Sequence, residues 1–73
     1  MNEQDSARAK LCDLKDKLGV PLTEAARRIK TIRYFRLNRF LKGKLDLMPE
    51  ELTKISKLYT LELENAYRRD KEL

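Results

Sequence analysis

Histidine and tryptophan are absent from the 73-residue chain, and cysteine occurs once, at Cys12. These absences exclude zinc fingers, His-based acid–base pairs and a disulfide framework, so neither a metal nor a cofactor is expected. With two glycines and two prolines, the chain has no Gly-rich phosphate loop and no low-complexity linker. No apolar run approaches the roughly 20 residues that a membrane span requires, and MNEQDSARAK lacks the apolar stretch of a signal peptide. A cytoplasmic protein with no membrane partner is predicted. Nothing supplies an acid–base pair in a pocket, so the chain is not expected to be an enzyme, and no small-molecule ligand is evident.

What is abundant is charge, and it is unevenly placed. The segment LTEAARRIKTIRYFRLNRFLKGK, residues 22–44, carries eight bases against the single acid Glu24. Residues 1–21 balance four bases with four acids, and residues 45–73 hold five bases and seven acids, so the whole excess of +5 lies in the middle. Such a concentrated positive field most often faces a polyphosphate, although an Arg-rich solvated helix face has the same composition.

A chain of this length folds as one small domain, residues 1–73, whose core buries only about 60% of the unfolded surface. Pairing with a second copy is the remaining source of burial. Ala7, Leu11, Leu14 and Leu18 are spaced four, three and four apart, one stripe of a helix from Ser6 to Leu18. Asp5 or Ser6 can cap it, and Gly19 ends it. Residues 1–5 and 71–73 are expected to fray. Cys12 lies about 100° round from Leu11, at the stripe's edge, where a partly buried structural thiol is expected.

Pro21 suits the first turn of a second helix, from Leu22 to Arg28 or Ile29, with Leu22, Ala25, Ala26 and Ile29 inward. The apolar phase then slips across Lys30-Thr31-Ile32, which predicts a short turn with Thr31 as a candidate cap. A third helix follows over residues 33–42. On its wheel Phe40, Leu37, Leu41 and Tyr34 fall within roughly 120° of one another, and Asn38, Lys42, Phe35, Arg39 and Arg36 occupy the opposite side. Phe35 either stands exposed for a partner or packs at the helix start. Gly43 stops this helix. Pro49-Glu50-Glu51 opens a fourth, packed through Leu52, Ile55, Leu58 and Tyr59, and Thr60-Leu61 marks a break before a fifth, from Leu63 to Arg69, packed through Ala66 and Tyr67. The expected fold is an all-α compact bundle of about five short helices.

Two short helices, a tight turn, and a second helix that is apolar on one side and Arg/Asn-rich on the other are the parts of a helix-turn-helix DNA reader, formed by helices 2 and 3. Arg39, Asn38 and Phe35 offer a guanine fork, an adenine amide and a surface for a thymine methyl.

Over about residues 6–67 the chain resembles the lambda-repressor-like family of Cro and Xre-type proteins. Ala26 matches the small residue of the first motif helix. Leu37, Phe40, Leu41 and Gly43 are similar to the core side and glycine stop of the recognition helix. MPEELTKISKLYTLELENAY resembles the family's fourth and fifth helices. Two departures stand out: the turn lacks the family's glycine and is one residue longer, and Leu22 replaces a frequent Gln. The register of the reading residues is therefore open by one position.

The resemblance implies a small phage or prophage Cro-like repressor that binds an operator in double-stranded DNA as a homodimer. It places base reading on Tyr34, Phe35 and Arg39, with Asn38 adjacent, and phosphate contact on Thr23, Lys30, Arg33, Arg36, Lys42 and Lys44. Leu61, Leu63 and Tyr67 are the candidate dimer contacts. An antitoxin-type regulator is a variant of this reading. A protein-interaction module docking an acidic partner through the same basic face is the alternative from another class, and RNA binding is disfavoured by the few aromatics available for stacking.

Overall fold

Asn2 starts the fold. In the computed structural model, which describes residues 2–72 and side chains as far as Arg69, the Asn2 side-chain oxygen accepts from the Asp5 backbone N–H at 2.8 Å. It thereby caps α1, Glu3–Asp16. The helix therefore begins ahead of the expected start at Ser6, because this cap precedes the first apolar position, Ala7, and lies outside the apolar stripe. At the other end Gly19 adopts φ 71°, which lets the Val20 N–H reach the Leu14 carbonyl at 2.7 Å.

The helix α2 spans Leu22–Ile29, α3 spans Tyr34–Leu41 and α4 spans Pro49–Glu72. Among the described residues there are thus four helices and no strand, and the expected fifth helix is corrected. No Gly or Pro interrupts residues 50–72, Thr60 alone carries only a small propensity penalty, and Tyr59 and Glu62 on either side are both tied to the body. The helix therefore runs on through Thr60-Leu61, about 36 Å at 1.5 Å per residue. Its start is built as the sequence suggests, since Pro49 leads and the Glu51 carboxylate reaches back to accept the Met48 N–H at 2.8 Å. The backbone of α4 is helical to Glu72, and position 73 lies outside the described residues.

Long side chains fix the order of packing. Gln4 brackets the Leu47 backbone, donating to its carbonyl and accepting from its N–H, both at 3.0 Å. Lys10 donates to the Ser56 hydroxyl at 3.0 Å, and the Tyr59 hydroxyl donates to Asp13 at 3.2 Å. These partners advance together, so α1 and α4 run in the same direction. The chain from Arg28 to Arg36 instead walks back along α4: Arg28 pairs with Glu62, Lys54 donates to the Thr31 hydroxyl at 2.7 Å, and Arg36 pairs with Glu51 at 2.9 Å.

Between these ties lies a core of Leu11, Leu14, Ala25, Ile32, Leu37, Phe40 and Ile55, all fully buried. Ala25, rather than Ala26, is the small residue with no exposure; Ala26 is partly buried. Cys12 is exposed, which corrects the expected partly buried thiol: it lies about 100° round the helix from Leu11 and about 160° from Leu14, off the face that these two bury. Ala66 is partly buried and Tyr67 is exposed, so the end of α4 contributes little to the core.

Candidate nucleic-acid interface

Placing α3 is the work of both its ends. Lys30 leaves α2 with φ 69° and ψ −35°, and the Thr31 N–H donates across it to the Ile29 carbonyl at 2.8 Å. This is a γ-turn of the left-handed type, a strained conformation for any residue with a Cβ. It drops Ile32 into the core, where it is fully buried, and leaves Arg33 as the N-cap. Thr31 is not the cap, because α3 begins at Tyr34 and Arg33 directly precedes it; the Thr31 hydroxyl accepts from Lys54 instead.

At the far end Gly43 has φ 78°. Its N–H bonds the Phe40 carbonyl at 3.0 Å and the Lys44 N–H bonds the Arg39 carbonyl at 2.9 Å, the paired bonds of a Schellman stop. Arg8 closes this end from α1. Its Nε donates to the Phe40 carbonyl at 2.7 Å, another nitrogen reaches the Leu45 carbonyl at 3.2 Å, and Asp5 and Asp46 hold the guanidinium from either side.

With Leu37 and Phe40 fully buried, the other side of α3 faces outward. Tyr34 is 47% and Phe35 56% exposed. The Arg39 guanidinium stacks over the Phe35 ring at 5.6 Å, which holds the cation in place while leaving its edge open. Phe35 thus stands on the exposed side rather than packing inward. Asn38 is half-buried, and its side chain makes no hydrogen bond within the described residues. Thr23 from α2 joins Tyr34, Asn38 and Lys42 along one shallow cleft, with Lys15 of α1 at the edge. Arg33 and Lys44 are exposed at the two ends of α3.

Two residues expected at this face lie elsewhere. Arg36 forms a two-pronged pair with Glu51, both bonds 2.9 Å. That pair holds the Glu51 carboxyl below its ordinary value, through the guanidinium first and the Met48 N–H after it, and raises Arg36. Arg36 is therefore a brace between α3 and α4 rather than an open cation. Lys30 lines a different groove, between the end of α2 and α4. The dimer candidates also divide: Leu61 and Leu63 are about 200° apart on α4, with Leu61 in that same groove and Leu63 on the side of Tyr67.

The sequence reading missed Lys15, Arg8 and Gln4. Each acts at a distance of more than twenty residues or at the edge of the cleft, and the only local sign was the Asp5–Arg8 spacing of an ion pair.

These features define a small all-helical protein with one cationic, aromatic-bearing helix face left uncovered. No family model, curated protein or solved structure matches the chain. No described helix is long and apolar enough to cross a membrane.

Proposed function

We propose that the chain is a sequence-specific double-stranded DNA-binding regulator of the lambda-repressor-like, Cro/Xre type, in which α2 and α3 form the helix-turn-helix and α3 enters the major groove. The observation that carries this reading is the outward side of α3. Phe35 and Arg39 stack on each other in the open, Asn38 keeps an unengaged amide, and Leu37 and Phe40 anchor the helix from behind. The exposed pair contributes only about 0.5–1 kcal/mol to the helix itself, and a ring and a guanidinium held together in the open suit a surface that a partner covers.

On this reading Tyr34, Phe35, Asn38 and Arg39 meet base edges, while Thr23, Arg33, Lys42 and Lys44 contact phosphates that position the protein without reading sequence. The protein acts as a repressor in the cytoplasm and binds a two-fold symmetric operator as a homodimer. Leu63 and Tyr67 supply the contact, since they lie about 40° apart on one side of α4. Selection of binding sites from random duplexes, followed by footprinting and single-base substitution, tests the proposal. A preferred site whose affinity falls with single-base changes supports it; uniform binding to all duplexes, or none, rejects it.

The protein-interaction alternative uses the same Phe35 and Arg39 as an anchor for an acidic partner. Single-base changes separate the two, because a surface made for an acidic protein holds a duplex through its phosphates alone, whatever its bases.

A further inference from the structure

On the far side of α2 lies a second basic surface that α3 does not use. Lys54, Lys57, Leu58 and Leu61 are spaced three, one and three along α4, one side of a helix, and they face the last turn of α2 across an open groove. Ile29 and Lys30 form the opposite bank.

Its charges are not cancelled from within. Arg27 is taken by Glu24 at 2.7 Å and Arg28 by Glu62, but Lys30 and Lys57 are exposed with no carboxylate partner among the described residues. Lys54 is bonded to the Thr31 hydroxyl. The floor is apolar: Leu58 is buried, whereas Leu61 is 47% exposed.

We propose that this groove docks an acidic amphipathic helix of another protein, with a leucine-like side chain covering Leu61 and carboxylates meeting Lys30 and Lys57. Both features of the groove select that occupant. A phosphate backbone would satisfy the lysines but leave Leu61 in water, while a purely apolar segment would leave the lysines unanswered. Two banks formed by helices suit a helix laid between them through spaced anchors. The groove stands independently of what α3 reads.

Fluorescence anisotropy on the full chain tests this with a labelled helical peptide bearing Leu on one face and Glu on the flanks, beside the same peptide with Leu replaced by Ser. The Leu/Glu peptide should bind, and the Ser/Glu peptide should bind roughly tenfold more weakly, as follows from losing one buried leucine. Leu61→Ser should bring a similar loss and Lys57→Glu a severalfold one. Both positions are exposed, so unchanged thermal melting confirms that the variants fold. Arg39→Ala should leave peptide binding intact, and a bound DNA duplex should not displace the peptide. Equal binding of the two peptides, displacement by any duplex, insensitivity to both substitutions, or no binding overturns the proposal. Displacement in particular would mark the groove as further nucleic-acid surface. Self-association of the chain abolished by Leu61→Ser would make the occupant a second copy, and also overturns it.

Discussion

The Arg8 guanidinium lies 4.6 Å above the Phe40 ring while its Nε donates to the carbonyl of the same residue at 2.7 Å. One side chain of α1 thus covers the ring that anchors α3 and satisfies a carbonyl at that helix's end. Charged hydrogen bonds of this kind contribute more than surface ion pairs do. Arg8→Ala should lower stability by about 2 kcal/mol, seen as a melting point lower by on the order of 10 °C. Arg8→Lys should recover less than half of this, since an ammonium cannot serve both carbonyls in the planar geometry of a guanidinium. Equal stability of all three proteins would show that the clamp contributes nothing.

The Arg36–Glu51 pair makes stability depend on acid. Because Glu51 sits below its ordinary value in the folded protein, its contribution is complete above the ordinary carboxylate range and is lost as pH falls through the folded value. The melting-point difference between the wild type and Glu51→Gln should therefore be largest near neutral pH and shrink towards zero in acid. Gln at this position keeps an oxygen for the Met48 N–H but removes the charge and one of the two acceptors for Arg36.

Lys30 carries strain that a glycine would not. Lys30→Gly should raise stability by about 1 kcal/mol in urea unfolding, whereas Lys30→Ala should give no gain because the Cβ remains. Neither variant should change the salt dependence of DNA binding, given that Lys30 faces the groove with α4.

Arg39 and Lys44 should separate reading from positioning. Arg39→Ala should cost about 1–3 kcal/mol at the preferred site and relax discrimination at one base pair. Lys44→Ala should weaken all duplexes alike and reduce the slope of log affinity against log salt by about 0.9 for each phosphate no longer neutralised. Identical behaviour of the two variants across a series of base substitutions would remove the division of roles.

Cys12 should react in the native state. A thiol reagent is expected to label it without denaturant, at a rate near that of the unfolded chain, and Cys12→Ser should change stability by less than about 0.5 kcal/mol.

Local pattern carried the helices whose limits are set by local residues. Pro21, the inward Leu22, Ala25 and Ile29, and the Gly43 stop each act within one or two turns, and α2 and α3 fall where they direct. The fifth helix rested on reading Thr60-Leu61 as a break, and no Gly or Pro enforces one there. The α1 start depended on the side chain of Asn2, which periodicity does not weigh. On α3, spacing separated Leu37 and Phe40 from Phe35 and Arg39 correctly, but it could not reveal that Arg36, on the same outward arc, has Glu51 within reach. That pairing joins positions fifteen residues apart and exists only once α4 is in place.

The pegs that hold the 28–36 segment to α4 are Arg28, Thr31 and Arg36, and none of them is a side chain on the exposed rim of α3. Tyr34, Phe35, Asn38 and Arg39 hang from a frame whose fastenings they do not share. Substitutions among these four should therefore change the chemistry of that surface while the scaffold keeps its shape, so the frame would carry other residues at these four positions equally well.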